Sequence, residues 1–205
     1  MQLGICRPSS SPWASPLHMV PKTDGTWRVV GDYKSLNSQT LSDSYPVPHI
    51  QDFSLSLAGC NTFSRIDLIR AYNQLTVAPE DVPKTAIITP FGLFEYVRMP
   101  MGLRNSAQTF QRFIDNILRD LPFAYAYVDD VLVASKSPEE HKKHLRLVLE
   151  RLQSHGVTIN ASKSIFGQAK LKFLGHVLSS EGIEPTPEKV DALSSYPLPE
   201  TIGQL

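Results

Sequence analysis

The sequence predicts an α+β fold, an antiparallel sheet with helices packed on one face. Three observations predict it. Short β-like runs and amphipathic helical runs are mixed without strict β-α-β alternation. Two pairs of apolar runs are joined by tight turns, at Thr23-Asp24-Gly25-Thr26 and Pro90-Phe91-Gly92. A third pair, Ala124 to Val128 and Val131 to Ala134, is separated only by Asp129-Asp130.

The elements follow in order. Leu17-His18-Met19-Val20 and Trp27-Arg28-Val29-Val30 flank the Asp-Gly turn as a hairpin, and Ile50, Phe53 and Leu57 recur at helical spacing up to Gly59. Phe63-Ser64-Arg65-Ile66-Asp67 is a short strand ending in an acid. Ala86-Ile87-Ile88 and Phe94-Glu95-Tyr96-Val97 form the second hairpin. From Ser106 to about Leu121, Phe110, Phe113, Ile114, Ile117 and Leu118 make one apolar helical face. Ser137-Pro138-Glu139-Glu140 opens a further helix with a capping box; Leu145, Val148, Leu149 and Leu152 are its stripe, and Gly156 is its stop. Strands are expected at Val157-Thr158-Ile159 and from Lys170 to Leu178, with a short helix after Pro187. Sixteen prolines, clustered near both ends, predict extended arms or short irregular connections there. Thr201 to Leu205 reads as one helical turn that is not continued, which suggests a chain cut from something longer.

The 205 residues suffice for one core, and 20 basic against 20 acidic residues give no overall field that attracts nucleic acid. Cys6 and Cys60 stand apart without metal-ligand spacing, which suits a reducing intracellular compartment, the cytoplasm foremost. Residues 1–20 read as neither signal peptide nor membrane span, so no membrane partner is expected.

Asp129 and Asp130 sit where stability does not want them. A two-residue turn between apolar strands favours Asn-Gly or Asp-Gly, and adjacent carboxylates repel. A divalent cation would reverse this, since hard oxygen ligands suit magnesium. Asp67 also ends a β-like run. Were its strand to pair beside the Asp129 hairpin, the carboxylates would converge, and two metals could bridge them for an in-line phosphoryl displacement. His141 and His144, three apart on a helix, are read as part of a solvated face, because no third metal ligand has suitable spacing.

Tyr127-Val128-Asp129-Asp130 resembles the Tyr-X-Asp-Asp box of reverse transcriptases. Phe63-Ser64-Arg65-Ile66-Asp67-Leu68 with Ala71-Tyr72 resembles the first metal-binding motif. Met99-Pro100-Met101-Gly102-Leu103-Arg104-Asn105-Ser106 is similar to the nucleotide-pocket motif, and Phe173-Leu174-Gly175-His176 to the primer-gripping segment. With Ala78 to Thr85, these motifs stand in the family's order, and the resemblance to gypsy-like LTR-retrotransposon polyproteins covers nearly the whole chain.

That resemblance implies a right-hand polymerase, with residues 1–205 holding partial fingers and the palm and with the thumb largely missing. It implies RNA-directed DNA synthesis with two magnesium ions, manganese being the alternative. The expected partners are a primed RNA or DNA template, deoxynucleoside triphosphates and other segments of a retroelement polyprotein. Asp67, Asp129 and Asp130 would form the catalytic metal site. Lys22 and Arg28 would hold the triphosphate, as a point charge and a bidentate fork. Tyr72 would exclude a ribose hydroxyl, Met101 and Gly102 would line the nucleotide pocket, and Lys163 would meet the leaving pyrophosphate. Phe173, Leu174 and Gly175 would grip the primer. Met101 stands where the family commonly has Phe or Gln, and Ala107 where proline is frequent. The alternative reading is a catalytically inactive retroelement fragment that binds nucleic acid or protein.

Overall fold

The computed structural model describes residues 3–22 and 25–195. The Thr23-Asp24 turn apex, Pro197, Pro199 and the last helical turn lie outside the described residues.

The central sheet is built from β4 (Thr62–Asp67), β7 (Ala124–Tyr127), β8 (Asp130–Ser135) and β9 (Ile165–Gln168), in the order β7-β8-β4-β9, all antiparallel. Side chains alternate faces along a strand, so Ile66, Val131 and Val133 point to one side and Phe63, Leu132 and Ala134 to the other. After the short helices α1 (Lys34–Gln39) and α2 (Ser54–Leu57) come α3 (Ser106–Leu118) and α4 (Pro138–Ser154), on which the first side packs through fully buried Phe110, Ile114 and Val148. The second side takes β10 (Leu171–Phe173), β11 (His176–Ser179), β12 (Gly182–Pro185) and the helical segment Ile50–Leu57, and buries Phe173 and Leu178. Both long helices thus lie on one face, as expected.

A second sheet holds β1 (Cys6–Pro8), β2 (Ser15–Pro21), β3 (Trp27–Gly31), β5 (Ile87–Thr89) and β6 (Gly92–Tyr96), in the order β1-β6-β5-β2-β3. The hairpin expected within the N-terminal arm is β2–β3, and the chain around it, expected to be extended or irregular, also joins the sheet, through β1 on β6 and the start of β2 on β5. β2 meets β5 only at Ser15 and Pro16, so Pro21 lies further along, where only β3 is a neighbour. Pro8 sits on an edge strand. Tyr33, 2% exposed, pins the arm by donating its hydroxyl to Thr85 O at 2.9 Å.

Four further expectations change. Val157-Thr158-Ile159 forms no strand and makes one bridge, Ile159 to Leu68. The run from Lys170 to Leu178 is two strands turned at Leu174-Gly175, both with positive φ (49° and 71°). The helix begun at Ser106 ends at Leu118. The Ser137 cap accepts from Glu140 N as expected, but the Glu140 carboxylate returns to Lys136 N instead of Ser137 N.

Candidate active site

The antiparallel register decides the site. Asp67, the last residue of β4, lies directly across from Asp130, the first residue of β8, and Leu68 N donates to Asp129 O at 2.9 Å. The three acids therefore share one edge of the central sheet, the convergence that the spacing alone left open. Asp67 is braced from its other side: its N–H donates to Ser164 Oγ (3.1 Å) and its carbonyl accepts from Asn160 N (2.7 Å).

The connection between β7 and β8 is one residue earlier than expected. Tyr127 pairs with Asp130, so the turn residues are Val128 and Asp129, and Asp130 belongs to the strand. Val128 takes φ 49°, a conformation that a β-branched residue pays for in strain of about 1–3 kcal/mol. Its side chain is 8% exposed within the helix-side core, and its N–H donates to Gln111 Oε1 at 2.8 Å.

Asp130 is half-buried among like charges. Burial, with the nearby Asp129 and Asp67 carboxylates, pushes its pKa up to about 6, against the opposing pull of Arg65. Arg65 Nε lies 3.9 Å from Asp130 Oδ1 and is itself buried without a hydrogen-bond partner. This donor stands too far for a good hydrogen bond, so it offsets the crowded negative charge only in part.

Tyr72 sits in the 3-10 turn Ala71–Gln74, edge-on to the Phe110 ring at 5.9 Å. Burial first, then the Asp129 carboxylate and Tyr127, push its hydroxyl pKa up, which places the ring beside the acidic edge. Arg70, just before that turn, adopts φ 46°. Lys163 is exposed on the 160–164 turn that hydrogen-bonds Asp67 on both sides, so it belongs to the same rim.

Other expected site residues are spread over the second sheet and beyond. Lys22 and Arg28 are exposed on the β2–β3 hairpin. Met101 is 40% exposed, and Gly102 has φ 94°. A Cβ on Gly102 would lie 3.4 Å from Gly31 O, so the close backbone approach its lack of a side chain permits is to the base of the hairpin. Asn37 stitches the same loop down, donating to Gly102 O and accepting from Arg104 N, each at 2.8 Å. Phe173 is 1% exposed and supports the Leu174-Gly175 turn from beneath, so only the turn itself is free to touch a ligand. A cavity of about 570 Å³ lies between Trp13, Asn37, Val77, Met99 and Leu103, and none of the three acids lines it.

His141 overturns the solvated-face reading. It is 2% exposed, and its ring joins Ser64 Oγ (2.6 Å) to Ser135 Oγ (2.8 Å), which in turn meets His144 Nδ1. Serines at alternate-face positions of β4 and β8 point toward α4, and histidine satisfies them where a hydrophobe could not. Sequence reasoning also missed Gln111, 0% exposed. The available signal was a glutamine three residues before Ile114 and seven before Leu118, on the stripe otherwise kept apolar.

As donors, the acids fit a hard divalent cation. Among the described residues, no three His, Cys, Asp or Glu side chains form a ready-made cage.

Comparisons with known proteins agree with this geometry. The family model described as reverse transcriptase (RNA-dependent DNA polymerase) matches residues 20–178. The whole chain is 39% identical to part of the retrovirus-related Pol polyprotein from transposon opus of Drosophila melanogaster, and covers 21% of that protein. It is 36% identical to part of the transposon Tf2-3 polyprotein of Schizosaccharomyces pombe, covering 16% of it. The chain thus spans about a fifth or less of the length of these relatives. Among solved structures, the dRH form of the foamy viral protease-reverse transcriptase in complex with double-stranded DNA superposes with a TM-score of 0.89 at 26% identity, over 99% of this chain and 36% of that one. The same enzyme in complex with an RNA/DNA hybrid gives 0.84 at 25% identity, over 98% of this chain and 27% of that one.

Proposed function

Since the chain belongs to the reverse transcriptase family, we propose that it is the fingers-and-palm core of a retrotransposon RNA-directed DNA polymerase. The observation that carries this reading is the pairing of Asp67 with Asp130 across β4 and β8, with Asp129 at the adjoining turn. A stability-driven sequence would not gather three carboxylates at one sheet edge. A site for magnesium and a triphosphate would.

Asp67 and Asp129 would hold two magnesium ions, or manganese in their place, which when bound would supply activation of the primer 3′-hydroxyl and charge stabilisation for the departing pyrophosphate. Asp130 completes the negative edge, and Arg65 behind it limits the repulsion. Lys22 and Arg28 close over the triphosphate from the finger hairpin, and Lys163 offers a proton to the leaving pyrophosphate from the rim. Tyr72 packs against the sugar and rejects a 2′-hydroxyl, while Met101 and Gly102 line the base side. The Leu174-Gly175 turn bears on the primer end. The partners are a primed RNA or DNA template and deoxynucleoside triphosphates, within a longer polyprotein like those of the relatives. Among the described residues, no helix is long and apolar enough to cross a membrane; we place the activity in the cytoplasm.

The test is incorporation of a labelled deoxynucleotide on an RNA template with a DNA primer, with magnesium and with chelator. Incorporation of only the complementary nucleotide, abolished by chelator, is expected. A folded protein that binds the primed template and incorporates nothing with either magnesium or manganese would instead favour the inactive, binding-only reading.

A further inference from the structure

The strained catalytic turn has a holder. Gln111 comes from the middle of α3 and uses every polar atom of its side chain. Its Oε1 accepts from Val128 N (2.8 Å), and its Nε2 donates to Ala126 O (3.0 Å) and to Asp115 Oδ1 (2.8 Å). Asp115 fixes which way the amide faces. A flipped amide would set its NH2 against the Val128 N–H and its oxygen against the Ala126 carbonyl, losing all three bonds. The other Asp115 oxygen accepts from Tyr45 Oη at 2.8 Å. Tyr45 is fixed in its turn: its N–H donates to Asp43 Oδ1, and the Arg112 guanidinium stacks 4.6 Å over its ring while forking onto both Asp43 oxygens at 2.7 Å. A continuous bonded path therefore runs from the 43–45 segment through α3 to the backbone of the residue between Tyr127 and Asp129.

We propose that Gln111 is a positioning residue for nucleotidyl transfer. With Asp115 and Tyr45 behind it, it holds Val128 in its left-handed conformation and thereby sets where Asp129 and Asp130 project. The role in transfer rests on the polymerase reading above; the clamp itself does not. Val128 gains nothing from φ 49° on its own account, so such a conformation persists only where surrounding bonds over-determine it. Gln111 supplies one to the strained residue and one to the strand before it. Without the amide, the turn relaxes and moves the acids, while the groups that bind the triphosphate and the primer stay where they were.

The test combines amide exchange at Val128, read by NMR, with single-turnover kinetics in the full chain. Gln111→Met keeps side-chain volume and removes the amide. Val128 exchange should quicken at least roughly tenfold relative to other buried palm amides. The maximal rate should fall by on the order of 100-fold for a displacement of the acids of about 1 Å, with KM for the nucleotide within about twofold. Should Gln111→Met fail to fold, Asp115→Ala and Asp115→Asn decide. The alanine variant should loosen Val128, and the asparagine variant, which retains an acceptor for Nε2, should restore it. Unchanged Val128 exchange in a folded Gln111→Met or Asp115→Ala protein overturns the clamp. Faster exchange with an unchanged maximal rate, or a loss seen wholly in KM, overturns the positioning role. If the parent incorporates nothing, the polymerase reading fails, and with it the role in transfer, while the exchange data still judge the clamp.

Discussion

Replacing Asp130 with asparagine should make the metal-free protein more stable near neutral pH, and the gain should vanish on acidification. The folded-state pKa of Asp130 is pushed up to about 6, from an ordinary value of 3.8. Between those values the folded chain holds more protons than the unfolded one, so stability falls as pH rises through the window, and the full penalty is present above it. At about 1.36 kcal/mol per pKa unit, the two-unit gap sets a ceiling near 3 kcal/mol. The Asp130 side chain is 26% exposed and retains a weak attraction to Arg65. Solvent screening and the loss of that attraction reduce the gain to about 1–2 kcal/mol, or roughly 2–8 °C in Tm for a chain of this size. The assay is thermal melting of parent and Asp130→Asn in chelator across the acid-to-neutral range, then with saturating magnesium. The variant should melt higher near neutral pH, the curves should meet near about pH 4, and magnesium should raise the parent more than the variant. A variant that melts lower near neutral pH, or a difference that does not change with pH, would refute the charge-crowding argument.

Three further outcomes follow from the same geometry. Tyr72→Ala should raise the ratio of ribonucleotide to deoxynucleotide kcat/KM by about tenfold or more, while magnesium-dependent chemistry persists; an unchanged ratio makes Tyr72 a core aromatic only. Gly31→Ala would place a Cβ 2.7 Å from the Tyr33 ring and 3.0 Å from Ile87, so denaturant unfolding should show a loss of about 1–3 kcal/mol, and no loss would mean the ring shifts freely. His141→Leu removes the ring that bridges Ser64 and Ser135, which should cost about 1–3 kcal/mol; since burial holds the His141 pKa below its ordinary value, the parent should also lose part of that network's stability as pH falls below about 6.5, a dependence absent from the variant.

The proposed catalytic residues were legible because the chemistry requires what folding disfavours. Asp129 and Asp130 stood out as acids between apolar strands, and Asp67 as an acid ending another. Their convergence was not legible from spacing, because register is a tertiary property: one residue of slip would turn Asp67 to the helix side. The turn was misplaced by one residue for the same kind of reason. Nothing local announces that Val128 tolerates a positive φ; the bond from Gln111, seventeen residues away, is what holds it. His141 and His144 were misread because their partners, Ser64 and Ser135, lie on strands whose facing only the fold reveals. The β2–β3 pairing was legible from its Asp-Gly turn, but the prolines around it suggest irregular chain and hid that β1 joins β6 and that β2 meets β5 at its start. Helices α3 and α4, whose stripes and cap are local signals, came out nearly as expected.

The measurement that bears most directly on the central claim is single-turnover extension of a DNA primer on an RNA template, with one complementary deoxynucleotide and magnesium, comparing the parent with Asp129→Asn. The fold keeps the turn carrying Asp129 on both sides, through Leu68 and Gln111, so the variant should fold and bind the primed template like the parent. The parent should add the nucleotide, and the variant should do so at least about a thousandfold more slowly. Extension by Asp129→Asn at the parental rate would contradict a catalytic site built on these three acids.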